Sequence, residues 1–284
     1  MIVMTGTDGF IGRNILEFFK NRTTERILTV DFNSEVEPFK FLENLKNRKY
    51  KEIGTIVHNG ACSDTTNNNP SYMMRHNFEY TADLFRQCLK MDIRLIYASS
   101  ASVYGDGPFH ESANKSPKNL YAMSKSIFDD YCMAFKTRAV GLRYFNVYGK
   151  YEEKKNHMAS VVYKFFHQVK SGKIQLFANS DKFLRDFIHI EDVCELTMDI
   201  FNNHNISGVF NIGTGKERSF QDIADIFVNR YGIDIEYIEM PKILKGKYQK
   251  FTKSDNTKTG QVLPHEYLSL EEGTKKYLDY LEKQ

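Results

Sequence analysis

No stretch of about 18 apolar residues occurs anywhere in the 284-residue sequence, so no transmembrane helix is expected. Met1 runs directly into an apolar segment with no charged leader and cleavage site before it, which argues against export. Cysteine is scarce. Cys62, Cys88, Cys132 and Cys194 contain no CxxC pair and no ligand-like spacing, which argues against disulfides and structural zinc and fits a reducing cytoplasm. Excess charge is scarce too: 39 Lys plus Arg against 36 Asp plus Glu leaves a net +3. That is too little to draw nucleic acid or a membrane across the whole surface, so any anion site must be local. There is no internal repeat and no disordered tail. What is present is 41% apolar residues, enough for one large core or two lobes sharing a cleft.

Apolar runs and helical periodicities alternate through the first half of the chain. Ile2 to Thr5, Ile27 to Asp31, Thr55 to His58, Arg94 to Ser99 and Ala139 to Tyr144 read as short buried strands, with helical segments between most of them, beginning with Phe10 to Arg22. This alternation predicts an α/β fold with a doubly wound parallel sheet of the Rossmann type. Residues 1–150 are expected to form a dinucleotide-binding domain. Residues 151–284, with a helix near Met158 to Lys170, short strands and a Lys-rich loop at 242–253, are expected to form mainly a smaller substrate-binding lobe, some later segments returning to the first domain. The polar stretch Asp64 to Pro70 reads as an exposed loop before a helix starting near Ser71.

Three groups of residues carry chemistry. Thr5-Gly6-Thr7-Asp8-Gly9-Phe10-Ile11-Gly12 joins the first strand to the first helix, with glycines where the backbone must turn tightly and approach a pyrophosphate, and the helix N-terminus supplies N–H groups. Asp31 ends the second strand where a carboxylate can accept hydrogen bonds from an adenosine ribose, which taken alone favours NAD over NADP. Asp8 would repel a phosphate unless its side chain points to solvent. Tyr121 and Lys125, four apart at the start of an amphipathic helix, project from one face, where an ammonium can lower the pKa of the phenol so that it exchanges a proton with an alcohol. Ser100, at the end of the fourth strand, can bond the same oxygen. A lone YxxxK is a common surface pattern; its order after the glycine turn and the Ser99-Ser100 strand end is what a hydride-transfer site on this fold requires.

These motifs together resemble the extended short-chain dehydrogenase/reductase (NAD-dependent epimerase/dehydratase) family over roughly the whole chain. The resemblance is carried further by HNGACSDTT (58–66), ASSASVYG (98–105), LRYFNVYG (142–149), HMAS (157–160), FNIGTG (210–215) and LKGKYQKFT (244–252). It implies an NADP-using enzyme, with NAD as the alternative, that epimerises a nucleotide sugar, in particular an ADP-linked heptose at C6, as a cytoplasmic homo-oligomer. It also implies that Ser100, Tyr121, Lys125 and Lys155 are catalytic, Lys155 being an acid/base opposed to Tyr121. Read from the residues alone, Lys155 is a solvated charge in Glu152-Glu153-Lys154-Lys155.

By the same resemblance the cofactor meets Gly6, Gly9, Phe10, Ile11, Gly12, Asp31, Phe32 and Lys40, then Asn59, Gly60, Ala61, Cys62, Ser63, His76, Asn77 and Val147, besides Tyr121, Lys125 and Lys155. Phe32 and His76 stand where the family pattern has asparagine. The substrate meets Ser100, Asn146, His157, Lys164, Phe177, Ala178, Asn179, Ser180, Arg185 and Tyr248, with the Arg185 fork suited to a diphosphate. Alternatives stay open: Phe177 as core, Arg185 paired with Asp181 or Asp186, Tyr248 as loop cover. Dehydratases of the family carry an Asp-Glu pair where this chain has Ala101 and Ser102, which removes their acid and base. His189-Ile190-Glu191-Asp192 reads as a helix N-terminus and no metal is expected. Cys62 reads as a packing residue, with nothing nearby to activate a thiolate. The rivals are a hexose 4-epimerase, which would give Lys155 no essential role, and a cofactor-binding protein without turnover.

Overall fold

The computed structural model describes residues 1–34, 36–135, 137–241 and 249–284. In chain order its elements are β1 (Ile2–Thr5), α1 (Phe10–Lys20), β2 (Ile27–Val30), α2 (Pro38–Lys46), β3 (Thr55–His58), α3 (Pro70–Met73), α4 (Tyr80–Met91), β4 (Arg94–Ser100) and α5 (Leu120–Met133). There follow β5 (Val140–Tyr144), β6 (Asn146–Tyr148), α6 (Val161–Val169), β7 (Lys173–Phe177), β8 (Leu184–His189), α7 (Ile190–Asn202), β9 (Gly208–Ile212), β10 (Glu217–Ser219), α8 (Phe220–Tyr231), β11 (Asp234–Ile238), α9 (Thr257–Val262) and α10 (Leu270–Leu281).

Six strands form one parallel sheet in the order β2-β1-β3-β4-β5-β9. All four residues of β1 are buried, as a central parallel strand with both faces covered requires. Its side chains divide by the strand period of two. Ile2 and Met4 join the face packed by Ile15 and Phe19 of α1 and by Val193, Leu196 and Ile200 of α7. Val3 joins the opposite face with Phe41 and Leu45 of α2, Leu84 and Phe85 of α4, and Phe128 of α5. The chain leaves β1 for β2 on one side and returns for β3 on the other, so the order reverses at β1. A crevice opens beyond the carboxyl ends of the strands at such a switch point.

The remaining strands form two small sheets, β10-β8-β6 and β11-β7. They share an apolar core with α6, α8 and α10 built on Phe165, Phe227, Tyr277 and Leu278. The expected helix near Met158 to Lys170 is shorter, Val161–Val169, because Ser160 is its N-cap, its hydroxyl accepting from the Tyr163 N–H at 3.3 Å. Residues Glu152–Met158 form tight 3-10 turns before it. The first helix likewise ends at Lys20 rather than Arg22.

Two buried histidines give the fold an acid sensitivity. His58, on β3, lies between the hydroxyls of Thr5 (Nδ1, 2.6 Å) and Thr81 (Nε2, 3.0 Å), and burial followed by the Lys125 charge lowers its pKa to about 3. Burial also lowers that of His189, the N-cap of α7. Between the folded and unfolded pKa values the unfolded chain binds the extra proton, so stability rises with pH in that window and is lost as pH falls below about 6.5. For His58 alone the loss reaches about 2 kcal/mol at pH 5. Urea melts should show lower stability at pH 5 than at pH 7, offset in part by His265, whose pKa the hydrogen bond with Asp192 raises; a His58→Gln variant that keeps the whole pH difference would mean that this ring is not the source of it.

Candidate active site

A cleft of about 1100 Å³ lies beyond the carboxyl ends of β1, β3 and β4 and runs between the large sheet and the smaller lobe. Gly6, Gly9, Phe10, Ile11 and Gly12 line one end. Close packing explains the glycines. Gly6 has φ +71°, and a Cβ there would meet the Asn59 and Gly60 backbone at 2.5 Å; one on Gly12 would meet the Gly6 carbonyl oxygen at 2.1 Å. Gly9, the N-cap of α1, brings no side-chain cap, and the first turn carries no acidic residue. The first N–H groups of the helix are therefore left for an external anion, which fits a dinucleotide pyrophosphate.

The expected ribose contact is partly engaged already. Asp31 accepts from the N–H groups of Asp8 (2.8 Å) and Phe32 (2.9 Å). The Asp8 carboxylate is half-buried and turns toward the loop after β2, accepting from the Asn33 N–H at 3.2 Å, rather than simply facing solvent. Phe32 is 60% exposed, and Lys40 pairs with Glu43 at 2.8 Å.

Farther along, Asn59, Ala61, Ser63 and Val147 line the cleft; Gly60, Cys62, His76 and Asn77 do not. Asn77 is buried and clamps the loop after β3, accepting from the Cys62 N–H (2.8 Å) and donating to the Cys62 carbonyl (3.0 Å) and the Ser124 hydroxyl on α5 (3.1 Å). His76 stacks on Tyr72, ring centroids 4.0 Å apart. Thr65 and Thr66, in the stretch read as a bland loop, line the cleft as well.

Ser100, Tyr121 and Lys125 meet in the cleft. Asn119 caps α5 by accepting from the Ala122 N–H at 2.8 Å, which sets Tyr121 in the first turn and Lys125 one turn further on the same side. The expectation that Lys125 lowers the phenol is not met in this geometry. Burial holds the Tyr121 phenol above its usual range, opposed by a hydrogen bond with Ser100. The Lys125 ammonium donates to the Ala98 carbonyl at 2.9 Å, and burial lowers its pKa to about 8, offset in part by the Asp129 charge. Asp129 is itself fully buried and accepts from Arg143 Nε (2.8 Å), Ser99 (3.0 Å) and Tyr97 (3.1 Å). Lys125 therefore stands on a satisfied polar network behind the cleft. Ala101 is buried and apolar, and the Ser102 hydroxyl donates to Ser100 at 2.9 Å, so neither position offers a carboxylate.

Lys155 also lines the cleft, its ammonium 5.0 Å from the Phe10 ring centroid and 3.2 Å from a Glu152 oxygen. This departs from a solvated charge run, because Glu152 is fully buried. Asn156, next in sequence, holds φ 48°, ψ −122°, a conformation glycine adopts more easily, at a cost on the order of 1–3 kcal/mol. His157 lines the cleft and stands 3.7 Å from Asp64. Lys164 lines it too, its pKa lowered by burial and then by the nearby Lys155 charge.

In the smaller lobe Asn146, Phe177, Ser180 and Arg185 line the cleft; Ala178 and Asn179 do not. Arg185 is buried, donates to the carbonyls of Leu184 (2.9 Å) and Gln249, and lies 5.7 Å from the Phe220 ring centroid. Phe183, Phe187, Phe220 and Ile238 add an apolar wall that was not anticipated. Tyr248 lies outside the described residues. Asp192 and Glu195 on α7 approach His265 at 3.0 and 4.0 Å, through different ring nitrogens. The ring thus lies between two carboxylates.

Residues 2–213 match the NAD dependent epimerase/dehydratase family, and the chain belongs to it. A curated relative from Brachyspira hyodysenteriae, named ADP-L-glycero-D-manno-heptose-6-epimerase, is 43% identical over 314 aligned positions that cover 100% of this chain and 98% of the relative. The crystal structure of the Helicobacter pylori protein of the same name superposes with a TM-score of 0.87 at 29% identity, covering 100% of this chain and 96% of that one. The Thermotoga maritima UDP-glucose 4-epimerase, solved with UDP-glucose, gives 0.86 at 22% identity, covering 99% and 98%, and shares the fold. The cofactor class is a nicotinamide dinucleotide. No helix among the described residues is long and apolar enough to cross a membrane.

Proposed function

We propose that this chain converts ADP-D-glycero-D-manno-heptose to its L-glycero epimer by transient oxidation and re-reduction at C6. The 43% identity to a heptose epimerase along the full chain supports the substrate. The observation that carries the mechanism is that Tyr121 and Lys155, from α5 and from the 152–158 segment, line one cleft beside the glycine turn. In one substrate orientation Tyr121, with Ser100 bonded to it, takes the proton of the C6 hydroxyl. The sugar then presents its other face, and Lys155 returns a proton to the C6 oxygen. With its pyrophosphate at the glycine turn, a bound nicotinamide dinucleotide would supply a reversible hydride store, so that net redox change is zero. Lys164 and Arg185 are cations suited to the diphosphate. The small residues at 101 and 102 disfavour dehydration.

NADP is the proposed cofactor. Lys40 supplies a charge for the 2′-phosphate, and its exposed pair with Glu43 costs little to open. Asp31, at the end of β2, is the observation that favours NAD instead. A cytoplasmic location and a homo-oligomeric state belong to the same reading, the second supported by exposed Leu89 on α4, Met123 and Met133 on α5, and Phe135 just beyond it. The test is to incubate purified protein with ADP-D-glycero-D-manno-heptose without added cofactor, follow C6 configuration by NMR, and weigh the dinucleotide released on denaturation. Epimerisation with a dinucleotide of NADP mass is expected. No turnover after either dinucleotide is added sinks the heptose assignment, and turnover of a UDP-hexose at C4 would replace it.

A further inference from the structure

We infer that Glu152 is a positioning residue for Lys155, holding its ammonium at the cleft beside α1 and away from the substrate diphosphate. The inference rests on the proposed role of Lys155 as the second proton carrier. Glu152 is fully buried, where a carboxylate is unfavourable unless its charge is paired and its oxygens are bonded. It is bonded on both oxygens. Oε1 accepts from the Ser160 N–H at 3.1 Å and from Lys155 Nζ at 3.2 Å, and Oε2 accepts from the Ser160 hydroxyl. Ser160 is the N-cap of α6, so the carboxylate is fixed to the start of a helix, the end at which negative charge is favoured.

The spacing of the pair follows from local geometry. Residues 152–155, before the break at Asn156, turn as 3-10 helix, in which side chains at i and i+3 eclipse, so Lys155 stands over Glu152. A lysine on a four-carbon stem is otherwise a mobile point charge. With Lys164 close enough to repel it, an unanchored Lys155 ammonium would settle on the nearest anion, the diphosphate, instead of the C6 oxygen. The Phe10 ring, 5.0 Å away, supplies the other wall. Tyr277 of α10 is buried behind this site, its phenol held above the usual range by burial and then by the Glu152 charge, so the fold carries that charge inward rather than exposing it.

The test is a double-mutant cycle of Glu152→Gln and Lys155→Ala, with thermal melts of each variant. The glutamine can keep accepting from the Ser160 N–H while losing the charge that anchors Lys155. Glu152→Gln is expected to lower kcat about tenfold with KM within about twofold, and to have no further effect once Lys155 is Ala. Full activity in Lys155→Ala would sink the underlying reading. A large loss in Lys155→Ala with either wild-type kcat in Glu152→Gln or additive losses in the double variant would overturn the positioning role alone. If Glu152→Gln melts below the assay temperature, the cycle is run with Glu152→Asp, which keeps the charge and shortens its reach. A wild-type kcat there overturns the inference, and a kcat loss that vanishes in the Lys155→Ala background supports it.

Discussion

Tyr121→Phe is expected to lower kcat for epimerisation by about 10²–10⁴-fold, with KM and bound dinucleotide nearly unchanged. The substitution removes one oxygen from a side chain whose ring is held in the first turn of α5 by the Asn119 cap. The Ser100 hydroxyl loses its hydrogen bond to the phenol, but it remains bonded to Ser102 at 2.9 and 3.2 Å, so the strand end should not collapse. Burial keeps the phenol protonated in the free protein, which leaves Tyr121 ready to donate in the re-reduction direction and in need of a change of environment before it accepts. Because a complete epimerisation uses both proton carriers whichever isomer is supplied, the loss should be similar from the D-glycero and the L-glycero side. Initial rates from both isomers, with the cofactor content of each preparation, check this. Activity within a few-fold of wild type would remove Tyr121 from the chemistry.

The parts of the fold legible in the sequence are those specified by contacts close along the chain. β1, the glycine turn and α1 occupy 19 residues, and Gly6 and Gly12 there are forced by clashes that any Cβ would make. β9 is different. Gly208 to Ile212 pairs with β5 more than 60 residues earlier, and its five residues carry no period that distinguishes a returning sheet strand from a strand of the other lobe. β6 and β10, three residues each, are too short to show alternation. Within the site, Ser100, Tyr121 and Lys125 were found because one strand end and one helix turn carry them. Their partners were not. The Asp129–Arg143 ion pair joins α5 to β5, and neither residue type nor spacing marks it as buried. Glu152 was hidden in a charge run whose sequence resembles a solvated face, and only the cap on Ser160 and the cover from α10 turn it inward. Asn77, expected from the resemblance to contact the cofactor, also clamps the loop after β3 to α5, a role the sequence could not show because it depends on where α5 lies.

Lys155→Ala is expected to cost kcat about 10²–10⁴-fold, and it separates the two epimerase readings. Inversion at C6 by this route needs a proton returned to an oxygen that has moved relative to Tyr121, and Lys155 is the proposed carrier on that side. A hexose 4-epimerase sharing this fold would retain its rate without the lysine, since Tyr121 would serve both faces. The substitution should be mild for the fold. Lys155 is only partly buried, its side chain 26% exposed, but removing it leaves Glu152 buried with the Ser160 N–H and hydroxyl as its remaining bonded partners. Breaking a buried pair from one side is commonly worth about 3–5 kcal/mol, and the cleft-side exposure of the lysine should bring the loss below that range. The lower melting temperature and the lost turnover can be told apart by assaying well below the melt, where a folded, cofactor-loaded Lys155→Ala protein that still epimerises at C6 would leave Tyr121 as the sole proton carrier.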